Sequence, residues 1–73
     1  DGGGSHIRAI MPGRVVRIHV APGDAVRRGQ GMLILEAMKM ENEIVAPRDG
    51  IVAELHVIAG QAVDNGDELV RLE

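Results

Sequence analysis

Lys39 is the only lysine in a 73-residue chain that carries seven arginines. It lies between Met38 and Met40, with Glu36, Glu41 and Glu43 close by on both sides. A lysine amine becomes a nucleophile toward activated acyl groups once it loses its proton. A free amine of this kind has a pKa of about 10.4 and is mostly protonated near pH 7. Such an amine is a poor nucleophile until that proton is removed. An arginine-rich genome accounts for the general bias, but not for the lysine kept at this one position. The other candidates for chemistry are weaker. No Ser/His/Asp or Cys/His set exists, and no P-loop motif is present. His19 and His56 lack the i, i+4 helical spacing of a zinc pair and read as surface strand residues, so no metal site is expected. Asp24, Asp64 and Asp67 fall near turns and read as turn-formers.

The elements that must position Lys39 belong to one small domain. A chain this short buries only roughly 60% of the surface its unfolded form exposes, which leaves little room for an active-site cleft. The chain has no cysteine, so no disulfide or thiolate metal site supports it. It also has no Phe, Tyr or Trp. The core must be Val, Ile, Leu, Ala and Met, and stacking platforms for nucleic acid bases are excluded. A net charge of −3 gives no nucleic-acid footprint. No apolar run reaches the length of a membrane span, and no signal peptide is visible. Direct membrane insertion is not expected. Residues 1–5, Asp1-Gly2-Gly3-Gly4-Ser5, read as a linker ahead of a domain over 6–73.

Shifted by 37 positions, the sequence matches itself. Gly13 to Val20 lies over Gly50 to Val57, Gly23-Asp24-Ala25-Val26 over Gly60-Gln61-Ala62-Val63, Gly29 over Gly66, and Leu35-Glu36 over Leu72-Glu73. Ile7 and Ala9 lie over Ile44 and Ala46. Two copies are too few for a solenoid and point to two halves about an approximate two-fold axis. Val16, Ile18 and Val20 alternate with Arg17 and His19, and Ile51, Ala53, Leu55 and Val57 alternate with Val52, Glu54 and His56. This is the period of strands with one apolar face. Met32 to Leu35 and Leu69 to Leu72 are the matching later strands, and Ile44-Val45-Ala46 is another short run. Pro12-Gly13, Pro22-Gly23-Asp24, Arg28-Gly29-Gln30, Asp49-Gly50 and Asn65-Gly66-Asp67 punctuate them. Short strands at this turn spacing predict an all-β sandwich or flattened barrel. The first half is basic through Arg14, Arg17, Arg27 and Arg28. The second is acidic through Asp49, Glu54, Asp64, Asp67, Glu68 and Glu73. That polarity reads as two solvated faces, or as docking polarity toward partners.

Lys39 falls in the seam between the halves. A hairpin with Met38-Lys39 as a two-residue turn pairs Ala37 with Met40, Glu36 with Glu41 and Leu35 with Asn42. Such turns favour Asn-Gly or Asp-Gly because they require positive φ, which costs energy for other residues. Like charges stand opposite at Glu36 and Glu41, and two methionines are exposed at a loop tip. Several local violations within five residues mark a functional or strained site. Methionine, flexible and polarizable, suits a surface handled by other proteins.

Glu36-Ala37-Met38-Lys39-Met40 resembles the biotin-attachment signature of biotin carboxyl carrier domains. The resemblance runs from about His6 to Glu73 and includes Met11-Pro12-Gly13, Gly23-Asp24, Gly29-Gln30, Ala46-Pro47 and Asp49-Gly50. The family often reads Ala-Pro-Met-Pro-Gly, and Ile10 here replaces the first proline. No insertion separates Ala21-Pro22 from Gly23-Asp24, so the chain is similar to carriers without a protruding thumb. The related lipoyl domains share the hairpin lysine but typically have Asp-Lys-Ala in place of Met38-Lys39-Met40.

The resemblance implies a flattened eight-stranded barrel of two four-stranded antiparallel sheets, with Lys39 on an exposed turn and the termini at the opposite end. It implies covalent biotin on the Lys39 amine, joined by a biotin protein ligase that reads Glu36, Ala37, Met38, Met40 and Glu41. It implies as partners a biotin carboxylase and a carboxyltransferase or decarboxylase, in the cytoplasm or the mitochondrial matrix. The chain would then be a carrier and not an enzyme, since the hard chemistry belongs to the cofactor and the partner enzymes. A lipoyl carrier, or an unmodified lipoyl-like structural module, would share the fold without needing the flanking methionines.

Overall fold

A computed structural model describes residues 5–73. The linker expected over 1–5 therefore lies outside the described residues except for Ser5, which opens the first strand. Eight strands follow in order: β1 (Ser5–Arg8), β2 (Gly13–Ile18), β3 (Ala25–Val26), β4 (Gly31–Ala37), β5 (Met40–Val45), β6 (Gly50–Leu55), β7 (Ala62–Val63) and β8 (Glu68–Leu72). They form two four-stranded antiparallel sheets, ordered β1-β8-β6-β3 and β5-β4-β2-β7. Each sheet takes its two central strands from one half of the repeat and its two edge strands from the other, so neither half is a unit on its own.

The two-fold relation is visible bond by bond. The Gly29 amide donates to the Ala46 carbonyl at 2.8 Å, and 37 positions on, the Gly66 amide donates to the Ala9 carbonyl at 2.8 Å. The Val15 amide donates to the Gln61 carbonyl, and the Val52 amide to the Asp24 carbonyl, both at 2.8 Å. Every one of these bonds joins the two halves. The turns repeat as well. Asp24 Oδ2 accepts from the Ala21 amide, as Gln61 Oε1 does from Ile58. Gln30 Oε1 accepts from the Arg27 amide, as Asp67 Oδ2 does from Asp64. Asp24 and Asp67 are thus turn-formers, as their positions suggested. Gly29 and Gly66 follow with φ of 85° and 91°, a conformation that glycine reaches without a Cβ clash.

The strand faces differ in one respect from simple alternation. The register skips a residue at Val16 in β2 and at Ala53 in β6. A bulge of this kind leaves one residue unpaired and resets which face the next one takes. Val15 and Val52 are therefore buried, whereas Val16 and Ile51 are exposed. The apolar face runs Val15-Ile18-Val20 and Val52-Leu55-Val57, not through Val16 or Ile51. Matching bulges at Met32 and Leu69 let the consecutive pairs Met32-Leu33 and Leu69-Val70 both point inward. The core between the sheets is accordingly aliphatic, built on Met32, Leu33, Leu35, Leu69, Leu72 and the buried valines. The charge asymmetry follows the same topology, since Arg14 and Arg17 lie on a central strand of one sheet and Glu54 and Glu68 on central strands of the other.

Candidate functional site

The β4–β5 hairpin carries every residue singled out around Lys39. Leu35 pairs with Asn42, Glu36 with Glu41 and Ala37 with Met40, so Met38 and Lys39 alone make the turn. Their φ values are 54° and 65°, both in the left-handed region. Two such residues match the right-handed twist of the flanking strands, at about 1–2 kcal/mol each for a residue with a Cβ. The cost is sustained from below. Leu35 and Ala37 are buried, and β4 is hydrogen-bonded on both sides, to β2 and to β5.

Met38 and Met40 are 86% and 66% exposed, and Lys39, Glu36 and Glu41 are exposed with them. Among the described residues no side chain pairs with the Lys39 amine. Ala37 differs from its neighbours by pointing inward. An unpaired amine on a two-residue turn, held by a rigid double layer, can be presented into a partner's active site with little rearrangement.

Three residues beneath or beside the tip make contacts that the sequence did not show. The first is Gly13. A Cβ there would run into the Glu36 carbonyl and lie 3.2 Å from the Ala37 Cβ, so glycine lets β2 approach β4 just beneath the turn. The repeat aligned Gly13 with Gly50 but did not reveal this contact. The second is Asn42, whose Nδ2 donates to the Leu35 carbonyl at 3.4 Å and the Met40 carbonyl at 3.3 Å. Both bonds are long, and the one to Leu35 spans the hairpin, while the one to Met40 stays within β5. The third is Arg14, the register partner of Glu36, whose Nη1 donates to the Gly60 carbonyl at 2.6 Å. Beside the tip, Pro12, Arg14, Glu36, Ala37, Met38, Lys39 and Ala62 surround an open depression.

The histidines serve elsewhere. His19 and His56 are exposed, one residue past the ends of β2 and β6. Their amides make equivalent bonds, to the Met32 and Leu69 carbonyls. On the outer face of the β1-β8-β6 sheet, His6 Nδ1 contacts Glu68, and His56 Nε2 lies 3.0 Å from Glu54 and 3.8 Å from Glu68. Arg71 Nε reaches Glu54 at 3.2 Å. The Arg71 guanidinium, with a lesser contribution from His56, lowers the Glu54 pKa, and the His6 bond lowers that of Glu68. Among the described residues no group of three or more His, Asp or Glu side chains converges to hold a metal ion. No helix of the described residues is long and apolar enough to cross a membrane.

Two four-stranded sheets with one lysine displayed on a hairpin turn make the fold of the lipoyl domains. The chain belongs to the family described as "Biotin-requiring enzyme", whose model matches residues 5–72. It is 50% identical over 64 residues to the biotin carboxyl carrier protein of Streptococcus mutans, covering 88% of this chain and 49% of that protein. It is 49% identical over 69 residues to the mitochondrial propionyl-CoA carboxylase alpha chain of Homo sapiens, covering 94% of this chain and 10% of that one. The chain thus spans about half the length of one relative and a tenth of the other. Among solved structures, the lipoyl domain of the 2-oxoglutarate dehydrogenase complex from Azotobacter vinelandii superposes with a TM-score of 0.81 at 32% identity, covering 93% of this chain and 94% of that domain.

Proposed function

We propose that this chain is a biotin carboxyl carrier domain, with biotin held as an amide on the Lys39 Nζ. The observation that carries the reading is the geometry of the only lysine, which is exposed, fixed on a left-handed turn and without a pairing side chain among the described residues. The name of the Streptococcus mutans relative and the description of the family support biotin over lipoate. The lipoyl reading keeps the shared fold in its favour but leaves Met38 and Met40 without a role.

When bound, biotin supplies a ureido group that takes up a carboxyl group and passes it on. The residues of this chain do the presenting. Lys39 Nζ gives up two of its three ammonium protons and keeps one N–H when the amide forms, so the formal net charge goes from −3 to −4. The methionines offer adaptable apolar contact to a biotin protein ligase and to later partners. Glu36 and Glu41 hold negative charge at the turn and favour partners of complementary potential. A biotin carboxylase and a carboxyltransferase or decarboxylase are the partners this reading calls for. The carrier domain in this reading is residues 6–73, with residues 1–5 as the linker ahead of it.

The test is to express the chain with an active biotin protein ligase, then measure intact mass and streptavidin binding. One biotin should be added to the parent chain and none to Lys39→Ala. An unmodified parent chain would overturn the reading, and lipoate found on Lys39 under a lipoate-attaching enzyme would favour the alternative.

A further inference from the structure

We propose that the depression beside the hairpin is a seat for the biotin ring system itself, occupied between visits to partners, with Arg14 and Glu36 as its polar contacts. The inference rests on the reading of Lys39 as the attachment site. Its own support is the chemistry of the lining. A biotin head group has an apolar thiolane side and a cyclic urea with one carbonyl acceptor and two N–H donors. The depression offers apolar surface from Pro12, Met38 and Ala62. It adds one cationic donor, Arg14, and one anionic acceptor, Glu36.

Arg14 and Glu36 are register partners on neighbouring strands, yet no ion pair joins them. Each keeps hydrogen-bonding capacity for a third group. The guanidinium is already oriented, because Nη1 is tied to the Gly60 carbonyl at 2.6 Å. A guanidinium has five N–H donors, so the others remain for the urea carbonyl. Glu36 accepts from a urea N–H.

The repeat supplies a comparison within the molecule. At the positions equivalent by 37, Arg14 is replaced by Ile51 and Pro12 by Asp49, whereas Glu36 and Ala62 keep their kind as Glu73 and Ala25. The guanidinium tied to the Gly60 carbonyl and the apolar corner thus mark the lysine end, whereas the guanidinium beside Gly50 in the other copy is that of Arg48, which donates to Ser5 Oγ and the Asp49 carbonyl. The depression is shallow and would hold free biotin poorly. A ring tethered to Lys39, which lines the same depression, binds intramolecularly at an effective concentration on the order of millimolar. A weak seat is then populated, and a partner must draw the ring out of it.

Amide spectra of ¹⁵N-labelled chain before and after biotinylation test the seat. Loading should move the amides of Arg14 and Ala62, which are remote in sequence from Lys39, and give contacts between ring protons and the Ala62 methyl. In Arg14→Ala the seated population should fall roughly tenfold, as for loss of one charge-assisted hydrogen bond. Shifts at Met38 to Met40 should remain. Glu36→Gln, which keeps an acceptor, should lose less. Changes confined to residues 37–41, or unaltered by Arg14→Ala in a chain that stays folded, would overturn the seat. Since Lys39 is the only lysine, a biotin active ester can also load it, with product acylated at the chain's α-amine set aside by peptide mass. A chain that the ligase ignores refutes the carrier reading, while the chemically loaded chain still decides the seat.

Discussion

Gly13→Ala should destabilise the domain far more than Gly31→Ala, although an added Cβ meets a close neighbour at both sites. At Gly13 the neighbour is backbone. The new methyl group would collide with the Glu36 carbonyl and sit 3.3 Å from its carbon and 3.2 Å from the Ala37 Cβ. The Glu36–Ala37 end of β4 cannot yield alone, because it is paired to β2 at Arg14 and to β5 at Glu41 and Met40. At Gly31 the clash is with the end of the Glu43 side chain, whose Cδ would be 2.6 Å away. That side chain is exposed and can rotate off. Overpacking against a rigid neighbour costs about 1–3 kcal/mol. In a domain of this size each kcal/mol lowers Tm by roughly 4–8 °C. Gly13→Ala should therefore lower Tm by at least roughly 4 °C, and Gly31→Ala by less. Far-UV circular dichroism during heating, with urea unfolding alongside, reads both. Gly13→Ala should also slow ligase modification of Lys39, since β2 would be pushed off the strand that supports the turn. Equal losses at the two glycines would refute the distinction between backbone and side-chain neighbours. A destabilised Gly13→Ala with unchanged modification kinetics would refute the link to the tip.

Met38→Gly should raise stability by up to about 1 kcal/mol through relief of the left-handed turn, less the extra chain entropy glycine brings. It should also impair biotinylation, measured as initial rate at fixed ligase. Asn42→Ala should cost about 0.5–1.5 kcal/mol in urea unfolding, by losing its bonds to the Leu35 and Met40 carbonyls. Its amide-exchange effect should be concentrated in β4 and β5. Arg71 and His6 hold the pKa values of Glu54 and Glu68, respectively, below the ordinary glutamate value in the folded chain. The unfolded chain therefore binds more protons as pH falls, and the stability they contribute is present above about pH 4.5 and lost on passing through the lower folded values. Glu68→Gln should flatten that acid limb in urea midpoints measured between pH 7 and pH 3, and an unchanged slope would count against the His6 contact.

Much of the fold was legible because the chain states it twice. The 37-residue repeat gave the two-fold relation, the turn glycines and the equivalent strands without reference to coordinates. The hairpin register followed from pairing hydrophobic positions outward from a two-residue turn, and the structure has the same three pairs. The positive φ at Met38 and Lys39 was foreseeable for the same reason, since the turn type dictates it whatever residues occupy it. The bulges were not legible. At Val15-Val16 either valine fits an alternating pattern, and only pairing with β4 decides which is skipped. The exposed Ile51 and buried Val52 follow from the same bulge in the second copy.

By itself, then, the sequence determined the strand content, the two-fold plan, the turn at Met38-Lys39 and the uniqueness of the amine. These depend on composition, period and local backbone rules, which act over a few residues. Tertiary structure alone decided that Gly13 must be small, that Asn42 spans the hairpin and that Arg14 faces Glu36 without pairing to it. Each of those depends on how closely two strands approach and on where a side chain comes to rest. Such contacts join residues distant in the chain, and they exist only once both sheets have closed on the core.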